Sequence, residues 1–165
     1  MTEILPTENV ADNELLKLDN QLCFPLYAAS RLITRLYQPI LEPLGLTYPQ
    51  YIVLMILWQD APCPISHISD RALLNTNTLT PLLKRLESLG FILRTRRASD
   101  ERIVDISLTD EGYQLKSLCG CVPQAIQQQT HMPIENIIAL KTLLDELLID
   151  LKTPRNTKGQ KTKGD

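Results

Sequence analysis

Residues 65–108 read ISHISDRALLNTNTLTPLLKRLESLGFILRTRRASDERIVDISL, and this stretch decides the fold. Its first half has apolar residues at helical spacing and predicts two short helices, 65–74 and 76–89. Asn75 is placed to cap the second helix, and Gly90 to end it. The inward face predicted for the first helix is Ile65, Ile68, Ala72 and Leu73. Two short helices joined tightly, the second polar at its start, are typical of a helix-turn-helix.

The second half of the stretch predicts a β-hairpin. Residues 91–97 (FILRTRR) and 102–108 (RIVDISL) have strand composition, and a polar turn, 98–101, joins them. Ile103 is out of phase with the apolar residues that follow it, so only two strands are predicted. A helix-turn-helix followed by a hairpin is a winged helix-turn-helix.

Helices are predicted on both sides of this stretch. Helical spacing runs from Leu15 to Leu44, with Pro25 and Pro39 bending or shortening the helix and Gly45 ending it. A capping box, Thr47–Gln50, opens a helix that extends to about Trp58.

Thr109 caps a further helix that extends to about Thr130, with Gly120 and Pro123 as its weak points. A last helix is predicted over residues 134–151. The terminal helices carry wider apolar faces than one subunit of this size needs to cover, which predicts a homodimer.

The predicted fold class is therefore mainly α with a small β-hairpin wing: a winged helix-turn-helix with N- and C-terminal dimerisation helices. The single domain covers residues 13–152. Within it, 13–46 and 109–152 are the dimerisation helices and 47–108 is the DNA-binding part. Residues 1–12 are predicted to be a flexible arm, and 153–165 a disordered tail.

Composition bounds the function. The chain has 165 residues and a net charge of −2, but residues 71–102 hold seven basic residues against three acidic ones, a local charge of +4. A basic segment in an acidic chain favours nucleic-acid binding, although a solvated basic face has the same composition. The acidic N-terminus and the short apolar runs predict a cytoplasmic protein with no membrane contact. Cys119-Gly-Cys121 has no partner ligands for zinc, so no metal or cofactor is expected.

The DNA-contacting residues follow from this fold. Polar side chains at the start of the second helix would meet base edges in the major groove, and cations further along would hold phosphates. At the wing tip, Arg102 would enter a minor groove, oriented by Asp100 through a charge-assisted hydrogen bond. The alternative is that residues 100–102 form only a polar turn. The full set is Asn75, Thr76, Asn77, Thr78, Lys84, Arg85, Arg94, Arg96, Arg97, Asp100 and Arg102.

Cys23 is a candidate reactive thiol. With Asp19 as helix cap, Cys23 would lie about one turn inside the helix, where the dipole and free N–H groups favour an anion. The thiolate is the reactive form of cysteine. The alternative is that Cys23 is a small buried hydrophobe.

Two further motifs carry a resemblance. Asp100-Glu101-Arg102, followed by ISLTDEG at 106–112, resembles the wing of the MarR family of dimeric bacterial repressors. LDNQLCFPLYAASR at 18–31, YQPILEPLGLTYPQY at 37–51 and NTLTPLLKRLESLG at 77–90 are similar to the organic-hydroperoxide-sensing (OhrR-like) group. The resemblance covers residues 15–150.

The resemblance implies that Cys23 is the redox-sensing thiol. It also implies that Tyr37 and Tyr48, from the partner subunit, stabilise the thiolate, with Tyr27 nearby. A phenol that donates to sulfur favours the thiolate, and apolar neighbours suit an organic peroxide. Oxidation would give a sulfenic acid that a thiol or a backbone nitrogen must trap.

The resolving thiol departs from the family pattern. In two-cysteine members it follows the Val-Pro of this helix, whereas here Cys119 and Cys121 precede Val122-Pro123. Either Cys121 or Cys119 could resolve oxidised Cys23 across the dimer, or a small cellular thiol could do so. Cys63 is expected to be structural.

The predicted function is thus a repressor that binds palindromic double-stranded DNA as a homodimer and is released when organic hydroperoxide oxidises Cys23. Two alternatives remain at this point. One is the same fold released by a small phenolic ligand, and the other is a thiol peroxidase.

Overall fold

The computed structural model describes residues 16–153 in two compact units, one up to residue 127 and one from residue 128, which are described in turn. The predicted arm at 1–12 lies outside the described residues, as does the predicted tail beyond residue 153. The described chain is mainly helical with a small antiparallel sheet, which confirms the predicted winged-helix fold class.

The first unit holds most of the elements. They are α1 (Cys23–Leu41), α2 (Tyr48–Asp60), β1 (Cys63–Pro64), α3 (Ile65–Ala72), α4 (Thr76–Ser88), β2 (Ile92–Arg97), β3 (Asp100–Leu108), α5 (Asp110–Leu118) and α6 (Val122–Gln128), which crosses the unit boundary. Short 3-10 turns occupy Leu18–Asn20, Glu42–Leu44 and Cys119–Cys121.

Helix α1 is shorter than the sequence pattern predicts. It begins at Cys23 rather than near Leu15, and its N-cap is Leu22, which makes no side-chain cap hydrogen bond. The predicted cap, Asp19, lies instead in the preceding 3-10 turn. Pro25 falls in the first helical turn, where a missing N–H costs nothing, so it helps to set the start. The predicted end is right, because Gly45 has φ 68° and stops the chain after a 3-10 turn.

Helix α2 is the centre of the hydrophobic core. The predicted capping box forms at its start, where Gln50 Oε1 accepts hydrogen bonds from the Thr47 N–H (2.8 Å) and hydroxyl (3.1 Å). Its apolar residues continue around the helix instead of forming one stripe, which is the pattern of a helix buried on several sides. The buried α2 side chains are Gln50, Tyr51, Val53, Leu54, Ile56 and Leu57.

The helix-turn-helix forms as predicted except at its turn. Asn75 caps α4, and Leu79, Leu83 and Leu86 are fully buried on its inner face. Leu73, however, was predicted to face inward and is 60% exposed. Helix α3 ends at Ala72, and Leu73 takes the left-handed conformation (φ 54°) that lets the chain turn toward α4.

The wing is a three-stranded sheet rather than the predicted two-stranded hairpin. β1 pairs antiparallel with β3, Cys63 opposite Ile106, so the strand order is β1-β3-β2. A strand of only two residues that includes a proline gives no periodic signal, and proline is tolerated because β1 is an edge strand. Between β2 and β3 the register shifts at Arg96 and Arg97.

The helix predicted over 109–130 is broken at one of its predicted weak points. Thr109 caps α5 as expected, its Oγ1 accepting from the Gly112 N–H at 3.0 Å. The chain then passes through the 3-10 turn Cys119–Cys121 before α6. Gly120 lies inside that turn, and Pro123 follows in the first turn of α6.

The second unit contains α7 (Ile134–Lys152), as predicted for 134–151. None of its residues is buried. Across residues 16–153 no single helix is long and apolar enough to cross a membrane. Two consecutive helical segments that meet at 75° would together be long and apolar enough by length and composition alone: Cys23–Leu44 and Tyr48–Asp60.

Among the glycines that the structure describes, Gly112 has the least room for a side chain. A Cβ there would lie 2.1 Å from the Phe91 carbonyl oxygen, and a backbone atom cannot move aside as a side chain can. We therefore expect Gly112→Ala to lower the free energy of unfolding by about 2–3 kcal/mol, by forced overpacking. Urea unfolding at a fixed protein concentration measures this.

Gly120→Ala is the matched control, because a Cβ at Gly120 meets nothing within 4 Å. It should change stability by less than about 1 kcal/mol, in the stabilising direction. Equal losses in the two variants would contradict the steric explanation.

Candidate DNA interface and thiol site

The N-terminus of α4 presents a polar surface. Asn75, Thr76, Asn77 and Thr78 are all exposed. Asn75 Oδ1 accepts from the Thr78 N–H (2.9 Å) and from the Thr78 hydroxyl (3.0 Å). Within residues 16–153, Thr76 and Asn77 have no side-chain hydrogen bond, so their polar atoms are available to base edges.

The predicted cations divide into two groups by their ion pairs. Arg97 donates to both carboxylate oxygens of Asp105, at 2.8 and 2.6 Å, and this hydrogen bonding lowers the pKa of Asp105 and raises the pKa of Arg97. Arg94 lies 3.6 Å from Glu87 and is half-buried, with its Nε unpaired. Among the described residues the other four predicted cations form no ion pair. They are Lys84, Arg85, Arg96 and Arg102, and all are exposed.

Asp100 does not orient the Arg102 side chain as predicted. Its Oδ1 accepts from the backbone N–H of Arg102 at 3.0 Å, which is the local hydrogen bond an aspartate makes two residues on in a turn. Asp100 therefore shapes the start of β3, and the Arg102 guanidinium extends without an acidic partner in the described chain.

An ion-pair cluster that the sequence did not lead us to predict lies at the end of α2. Asp60 Oδ2 is 2.7 Å from His67 Nε2 and also pairs with Arg71. These hydrogen bonds, that of His67 first, lower the pKa of Asp60. The i, i+4 spacing of His67 and Arg71 on α3 was the available signal. The cluster fixes the end of α2 to α3.

Tyr37 and Tyr48 form a pair in the structure. Their ring centroids are 4.5 Å apart with planes at 45°. Burial raises the pKa of both phenols, and the neighbouring Tyr48 raises that of Tyr37 further, so both remain hydrogen-bond donors at neutral pH. Beside Tyr48 lies a cleft of about 480 Å³ whose polar lining includes Thr34, Arg35, Gln38, Glu42 and Thr47.

Cys23 does not meet the Tyr37–Tyr48 pair within one subunit. It is exposed at the first position of α1, and Tyr37 lies fourteen residues later on the same helix. At 1.5 Å per residue the separation along the axis is about 21 Å. Tyr27 is one turn from Cys23, exposed, with the Arg31 guanidinium carbon 5.5 Å from its ring centroid.

The other three cysteines differ in exposure. Cys119 is 3% exposed, and burial, with a further contribution from Cys121, raises the pKa of its thiol. Cys121 is exposed, with its Sγ 3.6 Å from the Leu118 carbonyl oxygen. Cys63 is buried in the sheet, where burial raises its thiol pKa, in agreement with a structural role.

Tyr51 links these thiols to the Tyr37–Tyr48 pair. Its ring lies 6.1 Å from that of Tyr37. Burial, and then the charges of Cys119, Tyr37, Tyr48 and Cys121, raise the pKa of Tyr51 to about 12. Cys119 belongs to the same buried core as Tyr51, and Tyr37 and Tyr48 pack against that core. Over residues 16–153 no group of histidine, cysteine and acidic side chains could hold a metal ion.

A helix-turn-helix with a sheet wing and exposed cations defines a winged-helix DNA-binding protein. Comparison with known proteins agrees: the family model "Transcriptional regulator SarA/Rot" matches residues 35–118. The organic hydroperoxide resistance transcriptional regulator of Bacillus subtilis is 43% identical over 141 residues, covering 86% of this chain and 95% of the relative.

Solved structures of AbfR from Staphylococcus epidermidis are also similar. Reduced AbfR bound to DNA gives a TM-score of 0.68 at 38% identity, over 85% of this chain and 98% of that one. Disulfide-formed AbfR gives 0.57 at 40% identity, over 84% and 92%.

The chain therefore belongs to the MarR/SarA family of winged-helix transcriptional regulators, as its motifs predicted. It is a DNA-binding transcriptional regulator. Because the relatives are transcriptional regulators rather than enzymes, the comparisons do not support the thiol peroxidase alternative.

The unpaired cations should differ from the paired ones in their effect on salt dependence. Removing a cation that contacts a DNA phosphate reduces the magnitude of the slope of log K against log salt by about 0.9 for B-DNA. We expect Lys84→Gln to reduce the slope by about that amount per subunit, measured by fluorescence anisotropy with a DNA duplex over a salt series.

Arg97→Gln is the comparison, because Arg97 is already held by Asp105. It removes the same charge and should leave the slope unchanged, even if a loosened wing weakens binding. A slope change as large as that of Lys84→Gln would show that Arg97 contacts phosphate.

Proposed function

We propose that this protein is a cytoplasmic homodimer that represses transcription from a palindromic operator and is released when an organic hydroperoxide oxidises Cys23. The observation that carries the proposal is the arrangement of the sensor residues. An exposed thiol at one end of α1 and a tyrosine pair at the other can meet only if two subunits pack with their α1 helices antiparallel.

The apolar surface of each unit supports the dimer. In the first unit, α1 buries only Leu41 and leaves a row of large apolar side chains in solvent: Leu22, Phe24, Tyr27, Leu32 and Ile33. In the second unit, α7 is a 19-residue helix with no buried residue, and it exposes Ile134, Ile138, Leu140, Leu143, Leu148, Ile149 and Leu151. Such surfaces mark interfaces. A second copy of the chain is a suitable cover, because a twofold dimer presents two recognition helices to a palindromic site.

The chemistry needs no cofactor. The Cys23 thiolate attacks the distal oxygen of the hydroperoxide and breaks the O–O bond. The sulfur becomes a sulfenic acid, and the alkoxide leaves as an alcohol after taking a proton. The phenols of Tyr37 and Tyr48 of the partner subunit would stabilise the thiolate by donating hydrogen bonds to it.

Cys121 is the better candidate for the resolving thiol. It is exposed at the α5–α6 turn, whereas Cys119 is buried and its raised pKa keeps it protonated. Only the thiolate attacks efficiently. This turn contributes Cys119 to the buried core against which Tyr37 and Tyr48 pack, and the partner's Cys23 would dock at that tyrosine pair. Condensation of the Cys121 thiol with the sulfenic acid forms an intersubunit disulfide and releases water.

A disulfide between the subunits would change their packing and so the spacing of the two α4 helices. Half-sites lie one helical turn apart, so a modest shift is enough to lose the operator. The names of the relatives support this function: the Bacillus subtilis protein is an organic hydroperoxide resistance regulator, and AbfR is known in reduced DNA-bound and disulfide forms.

One observation favours a second candidate. The 480 Å³ cleft beside Tyr48 is large enough for a small phenolic ligand, which could release the repressor without any thiol chemistry. The two functions differ in their need for Cys23.

Cys23→Ser separates these candidates. We expect the reduced variant to bind the operator as the parent does and to stay bound when an organic hydroperoxide is added, because serine cannot form a sulfenic acid. Anisotropy of a labelled operator duplex measures release. Cys63→Ser is the control and should still be released. Peroxide-driven release of Cys23→Ser would refute the thiol mechanism.

The resolving thiol is tested by two matched variants. After peroxide treatment, Cys119→Ser should still form a disulfide-linked dimer on a non-reducing gel, whereas Cys121→Ser should remain monomeric. Mass spectrometry of the cross-linked peptide identifies the two sulfurs. A Cys121→Ser dimer would assign the role to Cys119, and no cross-link in the parent would indicate an external thiol.

A further inference from the structure

Four aromatic side chains form a continuous series along α2. The rings of Tyr37 and Tyr48 are 4.5 Å apart, those of Tyr37 and Tyr51 6.1 Å, and those of Tyr51 and Trp58 6.0 Å in an edge-to-face arrangement. We call Tyr37, Tyr48, Tyr51 and Trp58 the aromatic chain. It starts at the proposed thiolate site and ends in the last turn of α2.

Trp58 connects the aromatic chain to α5. Its indole N–H donates a 2.8 Å hydrogen bond to the carbonyl oxygen of Gly112, 54 positions later in the sequence. The Lys116 ammonium lies 3.5 Å from the Trp58 carbonyl oxygen, which adds a second link between the same two helices. The first turn of α5 is thus held by the last turn of α2.

The start of α5 is also fixed to the end of α4, the second helix of the helix-turn-helix. The Thr109 hydroxyl donates to the Gly90 carbonyl oxygen at 2.6 Å, and the Thr109 N–H donates to the Phe91 carbonyl oxygen at 3.1 Å. Gly112 packs so closely on Phe91 that a single added carbon would overlap its carbonyl oxygen. Gly90 and Phe91 follow Leu89, the C-cap of α4, so a series of contacts joins the tyrosine pair to the end of α4.

We propose that Trp58 is a positioning residue that carries the oxidation state of the Cys23 site to α4, through its hydrogen bond to Gly112 and its ring contact with Tyr51. This rests on the proposed function, in which Cys23 of the partner subunit docks on Tyr37 and Tyr48. Formation of the disulfide would displace that tyrosine pair. Packed interiors change between discrete arrangements rather than deforming gradually, so the displacement would pass along rigid contacts instead of fading.

Trp58→Phe tests the proposal because phenylalanine keeps a ring beside Tyr51 but has no N–H for Gly112. We expect the reduced variant to bind the operator with an affinity close to that of the parent. The ratio of reduced to oxidised affinity should fall at least about fivefold, since coupling between sites is of that order or larger. A purely structural role would weaken both redox states equally and leave the ratio unchanged, which would overturn the proposal.

Tyr113→Phe is the matched control. Tyr113 is an exposed aromatic residue on the same turn of α5 as Gly112, and its hydroxyl makes no hydrogen bond within residues 16–153. Its substitution should leave the ratio at the parent value. A similar loss of coupling in both variants would point to general disturbance of α5 and would also overturn the proposal.

A second measurement needs no change at Trp58. It is the single tryptophan of the chain, so intrinsic fluorescence excited at the indole band reports on this site alone. We expect peroxide to shift the emission of the parent protein and to leave that of Cys23→Ser unchanged. Unchanged emission in a parent protein that has demonstrably left the operator would refute a role for Trp58.

The same variants distinguish a failure of the proposed function from a failure of the role proposed for Trp58. If peroxide releases Cys23→Ser from DNA, the proposed function fails. If Cys23→Ser stays bound but Trp58→Phe is released with the full parent ratio, the proposed function stands and the role of Trp58 fails.

Discussion

The burial of α2 is the constraint on which the rest of the first unit depends. The helix contacts α1, α3, α4, α5 and β3, and most of its apolar side chains have almost no exposed surface. A helix with apolar residues on nearly every side has no stable place in water, so the other elements pack around it. Because it is about 20 Å long, its two ends lie in different functional regions. Tyr48 is at the end beside the cleft of about 480 Å³, and Asp60 is at the end that pairs with α3.

Electrostatics divides similar side chains between two tasks. Arg71, Arg94 and Arg97 pair with acidic residues of the protein and stabilise its own structure. Four other cations form no ion pair in the described chain, which leaves them available to DNA in the function we propose: Lys84, Arg85, Arg96 and Arg102. This division explains how a chain of net charge −2 can carry a DNA-binding surface: its acidic residues are placed beside some cations and away from others.

The elements predicted from sequence were those with local signals. Asn75, Thr109, Gly45, Gly90 and the capping box at Thr47 act within a few residues of themselves, and each lies where it was expected. Strand β1 could not be predicted, because its two residues are ordered by pairing with Ile106 and Asp105 more than forty positions away. The inward placement of Leu73 was wrong because the helix stops one residue before it, at a turn that only the tertiary structure defines. The contact of Trp58 with Gly112 has the same origin in distant packing.

The candidate site follows the same rule. The thiol and tyrosine residues were recognised as a set from their similarity to a family. The polar residues 75–78 at the start of α4 were expected to be exposed, and they are. The hydrogen-bond partners of individual side chains could not be predicted from the sequence. Whether an arginine of the hairpin pairs with Asp105 or stays exposed depends on a register shift between the two strands. In the dimer that we propose, the relation of Cys23 to the tyrosines depends on a second subunit, which no single-chain pattern describes.

The bidentate pair between Arg97 and Asp105 has a consequence for the thermodynamics of operator recognition. It ties β2 to β3 beside the irregularity in their register, so the wing is ordered before it meets DNA. A hairpin that ordered only on contact would lose conformational entropy at that moment and bind more weakly for the same contacts. Because the wing is already ordered, the DNA binding that we propose would not carry that entropy loss, and the wing would enter and leave the groove as a rigid body.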